Sequence, residues 1–255
     1  MEPNHPTSSN DYAADISSIR QAQVRIGPFA HKTPVLISET LESIAGRKLY
    51  FKCECFQKGG AFKFRGECNA IYSLDDDHAA KGVVTHSCGN HVAALALAAK
   101  LPGIPAYNDT ANKVLQDTGA VLIHPYNDGC IISGQGTISL ELLEQASEID
   151  TLIVPISDQP QLLVWNESGG LISGVALAAK AINPAIHIFS AERMGADDAF
   201  QSKINGRITK LSEVNTIADG LRAFLGDLTW PIVHDLVDDV IVVDDEEILQ
   251  AMRLL

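Results

Sequence analysis

The stretch "GVVTHSCGNHVAALALAAK", residues 82–100, decides the fold. GVVTHS is short, rich in β-branched residues and lacks a polar face, so it reads as a buried strand. The turn CGN follows, and HVAALALAAK then has the composition of a smooth apolar helix. A strand passed to a helix through a glycine turn is the building unit of a parallel α/β sheet.

Working outward, the same alternation recurs. Strand signals lie at KLYFKCECF (48–56), AVLIHP (120–125), DTLIVPI (150–156), IHIFSAE (186–192) and DVIVVDD (239–245). Helical patterns occupy 136–147, 170–182, 196–204 and 246–255, and another begins near Ala61 with Phe64, Cys68 and Ile71 on one face. Near the start, Asp15 is placed to cap DISSIRQAQVRI, whose stripe is Ile16, Ile19, Gln23 and Ile26, and Gly27-Pro28 ends it. Strands apolar on both faces argue for open, largely parallel sheets covered by helices. No internal repeat or low-complexity linker interrupts the pattern.

Bulk properties exclude several classes. The 255 residues suffice for one large or two modest domains, and 46% hydrophobic with 20% charged residues is ordinary for a globular protein. A net charge of −13 argues against binding nucleic acid or an anionic membrane through charge. Apolar runs fall short of the ~20 residues of a membrane span. MEPNHPTSSNDYAAD lacks the basic start and apolar core of a signal peptide. Five cysteines (Cys53, Cys55, Cys68, Cys88, Cys130) have no zinc-like spacing and read as free thiols, hence a cytoplasmic protein. CEC at 53–55 reads as strand packing, and LDDDH (74–78) as a solvated loop. His86, His124 and His234 share no metal-like spacing and read as ordinary hydrogen-bonded residues.

Three stretches carry chemistry. In FQKGGAFKFRGE (56–67), Lys63 stands between Phe62 and Phe64. A solvated surface lysine is one reading. The other is an amine whose desolvation lowers its proton affinity and frees the nucleophilic form. In the opening stretch, Ser87, Cys88, Asn90 and His91 crowd one strand-to-helix turn, as a helix cap or as a binding site. Gly59-Gly60, Gly89, Gly134, Gly136, Gly169-Gly170 and Gly174 read as strand-to-helix turns whose bare amides suit a phosphorylated ligand. In AERMGADD (191–198), Glu192 and Asp198 are hard oxygen ligands suited to Mg²⁺ or Ca²⁺. Equally, Asp197 and Asp198 could cap and charge-balance the helix that follows.

Taken in order, KGGAFKFRG, SCGNH, GQGT (134–137), SGGLISG (168–174), SAERMGADD and TIADGL (216–221) resemble the fold type II pyridoxal-phosphate enzymes. Within them the wording is similar to the serine racemases of plants, in the serine/threonine dehydratase family, from about residue 15 onward. The resemblance implies a tryptophan synthase β-like fold of two open parallel-sheet domains. Residues 1–76 and 127–255 would form the large cofactor-binding domain, and 77–126 a shortened small one. It implies pyridoxal 5'-phosphate held covalently by Lys63 beside Phe62, its ring hydroxyl on Asn90 and its phosphate on Ser168, Gly169 and Gly170. Ser87, Asn90 and His91 would hold the substrate carboxylate. Lys63 would move a proton on one face of Cα; the second proton-transfer position, a serine in the family, is here Cys88. A divalent ion (Mg²⁺, Ca²⁺ or Mn²⁺) would use Glu192, the Ala196 carbonyl and Asp198. A homodimer acting on serine or threonine, with ATP as activator, is also implied. The ATP residues do not map, because Val92-Ala93 replaces glycine-glutamine after GNH.

Three departures from the family accompany the resemblance. NDT (108–110) spans the place of a further strand–helix–strand stretch of the small domain, so its sheet is expected to expose an edge. ISDQPQLLVWNESGG (156–170) replaces a short glycine run. The chain ends at AMRLL, before the family's SGGN-type segment. Alternatives to racemisation are therefore a dedicated threonine/serine dehydratase, and an inactive isoform that binds full-length subunits.

Overall fold

The computed structural model describes residues 11–85, 89–107, 111–156, 167–211 and 224–254. Asp15 accepts from the Ser18 amide and starts α1 (Ile16–Ile26), which buries Ile19, Ala22 and Ile26. β1 (Val35–Leu36) pairs antiparallel with β2 (Phe51–Lys52) on either side of α2 (Glu39–Ala45). The strand expected over 48–56 is thus only two residues long. A 3-10 turn at Glu54–Phe56 breaks the alternation, leaving Cys55 exposed instead of packed with Cys53. The turn has a cause: it delivers Glu54 to the buried Arg65 guanidinium, at 2.8 and 2.9 Å.

α3 (Lys63–Tyr72) buries Phe64, Cys68 and Ile71 as the sequence predicts. α4 (Asp76–Lys81) replaces the loop expected at 74–78, because Asp75 accepts from the His78 amide and caps it. β3 (Val83–Val84) leads to α5 (Asn90–Lys100), then β4 (Ala106–Tyr107), α6 (Ala111–Thr118) and β5 (Val121–Leu122). These three strands form a parallel sheet in the order β4-β3-β5, so β4 and β5 are its edges among the described residues.

α7 (Gly129–Gln145) begins well before the expected 136, because Asp128 accepts from the Cys130 and Ile131 amides. β6 (Thr151–Pro155), β7 (Glu167–Ser168), α8 (Gly170–Ile182), β8 (His187–Arg193), α9 (Asp198–Asn205), β9 (Phe224–Leu225), α10 (Trp230–Leu236), β10 (Asp239–Val243) and α11 (Asp245–Leu254) complete the chain. A second parallel sheet has the order β10-β8-β6, and β7 pairs with β9, also in parallel.

Two hydrophobic clusters form the core. One joins Ile19, Ile132, Ile172, Ile188 and Val240 around the β10-β8-β6 sheet; the other joins Phe64, Ile71, Val83, Leu95 and Ile131 between α3 and α5. Three glycines read above as turns lie inside helices instead. A Cβ on Gly134 would stand 2.5 Å from the Arg65 carbonyl, and one on Gly174 would stand 2.3 Å from that of Ile132. Gly136 meets Gly174 from the other side. They let α7 press its backbone onto α3 and α8, and hold no anion.

Candidate active site

Lys63 is the first residue of α3 and only 2% exposed, which rules out the solvated surface lysine. Its Nζ donates to the Pro125 carbonyl at 3.0 Å and lies 5.5 and 5.6 Å from the Phe62 and Tyr126 rings. Burial pulls the amine down from 10.5 to about 8, while the charge of Glu67 works the other way. A neutral, nucleophilic amine is accordingly within reach at physiological pH.

Pro125 and Tyr126, which the sequence did not single out, link Lys63 to the start of α8. A Cβ on Gly170 would stand 2.9 Å from the Tyr126 carbonyl, so the loop carrying Lys63's acceptor lies directly on that helix terminus. Gly169, at φ +98°, is the N-cap of α8 and supplies no side chain to the first-turn amides. A Cβ there would also meet Thr229 Oγ1 at 2.9 Å. Thr229 Oγ1 donates to the carbonyl of the buried Ser168 at 2.6 Å, which fixes the turn.

α5 supplies the third terminus. Gly89 caps it without a side-chain hydrogen bond, and Asn90 is exposed while His91 is buried. His91 Nδ1 lies 2.5 Å from Glu67 Oε1, and its Nε2 lies 2.9 Å from Thr85 Oγ1. With both ring nitrogens engaged inside the protein, what His91 offers a ligand is its backbone N–H. Ser87 and Cys88, like His86, lie outside the described residues.

The contrast among helix starts is informative. Asp15, Ser38, Asp75 and Asp128 cap α1, α2, α4 and α7 with their side chains. α3, α5 and α8, which carry Lys63, Asn90 and Gly170, begin without any side-chain cap, as does α10 away from the site. Uncapped first-turn amides and the helix dipole attract anionic groups.

Glu192, at 2% exposure, accepts from the Ala199 and Phe200 amides, both at 3.0 Å, and so caps α9 from β8. Asp197, the residue expected to cap, makes no such bond and accepts instead from the Gln201 side chain. Asp198 is buried and accepts from the Leu225 amide at 3.0 Å, and Ala196 is buried beside it. Burial, reinforced by Asp198, pushes Glu192 up to about 9; burial raises Asp198 to about 7. Two desolvated carboxyls this close call for a proton or a cation. Among the described residues no three His, Cys, Asp or Glu side chains cluster as a metal site, so a cation here would complete its shell with carbonyls and water. Elsewhere His124 Nδ1 accepts from the Asn127 amide and His234 pairs with Asp235, as ordinary polar contacts.

A buried amine linked through Pro125 and Tyr126 to an uncapped helix terminus that follows a parallel strand points to a class. Residues 26–108 and 106–255 match the pyridoxal-phosphate dependent enzyme family, and the chain belongs to it. Its fold is that of the fold type II members. Serine racemase of Arabidopsis thaliana is 59% identical, the match covering 95% of this chain and 80% of that protein. The solved structure of maize serine racemase superposes with a TM-score of 0.89 at 57% identity, covering 95% of this chain and 82% of the other. The solved T.th. threonine deaminase gives a TM-score of 0.85 at 36% identity, covering 94% of this chain and 84% of the other. The Arabidopsis match runs over 275 residues against the 255 of this chain, so that relative carries residues within the matched span that are missing here. The family match itself comes in two stretches that meet at 106–108, where the sequence departs from the family pattern.

The residues present suit pyridoxal phosphate. Lys63 offers a desolvated amine for its aldehyde, and the glycine-capped start of α8 offers uncapped amides for its phosphate.

Proposed function

We propose that this chain interconverts L- and D-serine, and as a side reaction removes the β-hydroxyl of serine or threonine to give a 2-oxoacid and ammonia. The observation that carries this is the buried Lys63 amine, held near neutrality by desolvation and joined to the start of α8 through Pro125 and Tyr126. Lys63 anchors the cofactor beside Phe62, Ser168, Gly169 and Gly170 hold its phosphate through backbone amides, and Asn90 contacts its ring hydroxyl. When bound, pyridoxal phosphate supplies an electron sink for the charge left at Cα when its proton departs. Lys63 holds that proton on one face of Cα. Cys88, a thiol in place of the family's serine, would give its own proton to the other face and be left as the thiolate. Ser87, with the backbone amides of Asn90 and His91, orients the substrate carboxylate.

A divalent ion, Mg²⁺ or a similar cation, would be held by Glu192, the Ala196 carbonyl and Asp198. Asp198 accepts from the Leu225 amide, and Leu225 Cδ2 lies 3.0 Å from where a Cβ on Gly169 would stand. A cation held by Asp198 would thus be coupled to the phosphate turn through Leu225. We also divide the chain into 1–76 with 127–255 and a smaller 77–126 unit; the second hydrophobic cluster spans that boundary, joining Ile26, Phe64, Ile71 and Ile131 to Val83 and Leu95. We further assign ATP activation, a homodimeric state and a cytoplasmic location; no helix among the described residues is long and apolar enough to cross a membrane.

The similarity to a threonine deaminase supports a second reading, a dedicated dehydratase. Chiral analysis of products from L-serine separates the two. D-serine alongside pyruvate supports the racemase; pyruvate alone overturns it.

A further inference from the structure

We propose that Glu67 is a positioning residue that fixes the tautomer of the His91 ring and sets an acidic side chain one helical turn from the Lys63 amine. Glu67 stands four residues after Lys63 in α3, so the two side chains rise from the same helix face one turn apart. Its side chain is fully buried. Oε1 meets His91 Nδ1 at 2.5 Å, and Oε2 has no hydrogen-bond partner among the described residues. A purely structural filler at this depth would be apolar, since a buried carboxylate with an unmatched oxygen is costly.

The contacts dictate the proton arrangement. An ionised carboxylate can only accept, so His91 Nδ1 carries the hydrogen and donates to Glu67. Nε2 is then the acceptor for the Thr85 hydroxyl, 2.9 Å away. Thr85 ends the strand side of the SCGN turn and His91 opens α5, so this chain of contacts ties the start of α5 to α3. Glu67's charge opposes the effect of burial on Lys63. Lys58, whose Nζ lies 5.6 Å from the Phe64 ring, and the Cys68 thiol are further titratable groups interacting with this stretch. The consequence for catalysis rests on Lys63 being the cofactor anchor, but the two physical properties do not.

Both properties are measured on the full chain without cofactor, so failure of the anchor reading leaves them intact. Nitrogen-15 spectra of labelled histidine, with His91→Gln to assign the signal, report the tautomer. Competitive acetylation with acetic anhydride between about pH 6 and pH 10, mapped to Lys63 by mass spectrometry, reports the amine. Wild type is expected to show His91 as the Nδ1–H form. Glu67→Gln, whose amide oxygen still accepts, keeps that form but labels Lys63 several-fold faster near pH 7, because the opposing charge is gone. Glu67→Met loses the tautomer as well. A doubly protonated or Nε2–H His91 in wild type, or unchanged Lys63 labelling in Glu67→Gln, overturns the proposal.

Discussion

Methionine in place of Lys63 separates the energetic cost of the amine from its chemistry, since the two side chains are similar in length and only one is charged. In the folded chain burial holds the amine at about 8 instead of 10.5. At about 1.4 kcal/mol per pH unit, the folded state disfavours the protonated amine by on the order of 3 kcal/mol at neutral pH. Between those two values the unfolded chain keeps a proton that the folded chain has lost, so wild-type stability rises with pH across that window. Methionine removes this dependence but gives up the bond to the Pro125 carbonyl, worth about 1 kcal/mol. Cofactor-free Lys63→Met is therefore expected to be more stable than wild type by about 2 kcal/mol at pH 7, a melting-temperature gain of roughly 4–8 °C at this chain length. By about pH 10 the gain disappears or reverses. Thermal unfolding followed by circular dichroism at intervals from neutral to alkaline pH tests it. A constant difference between the two proteins across that range would refute the desolvation argument.

Other perturbations test the scaffold and the second site. Arg65 is buried between Glu54 and Glu141, with Lys52 on Glu141 at 2.8 Å. Arg65→Met removes the shared partner of two largely buried carboxylates, leaving Glu141 to Lys52 and Glu54 to the Thr33 hydroxyl, and should cost about 3 kcal/mol in urea unfolding. Burial alone would raise Glu141, and Arg65 now holds it below its ordinary value, so the variant should lose further stability as pH rises past the carboxylate range. Gly174→Ala drives a Cβ against the Ile132 carbonyl and the Gly136 amide nitrogen at 2.6 Å, and should cost about 1–3 kcal/mol by the same measurement. Asp198→Ala should abolish both Mg²⁺ activation and any Mg²⁺-dependent rise in melting temperature; retention of either removes Asp198 from the cation site.

Much of this architecture was legible in the chain. The helix at 170–182 and the cap at Asp15 follow from local rules, because periodicity and capping act over a few residues. Lys63 between two phenylalanines was a sound guide to a desolvated amine. What local rules missed was set by distant partners. Glu54 abandons a strand to reach Arg65, and Gly134 and Gly174 serve helix contacts, not turns, since only tertiary packing decides what a glycine approaches. Asp75 and Asp128 were plain N-cap residues, concealed within an acidic run and an NDG turn. Glu67 left only one trace, a charge one helical turn beyond Lys63. Its meaning appears when α5 brings His91 against it.

The proposed chemistry depends on a covalent bond between the Lys63 nitrogen and the coenzyme. Incubating the full chain with pyridoxal phosphate, reducing with borohydride and mapping the peptides measures it directly. A pyridoxyl label on Lys63 that vanishes when arginine replaces it is expected. A label confined to other lysines, or one unchanged by that replacement, would contradict it.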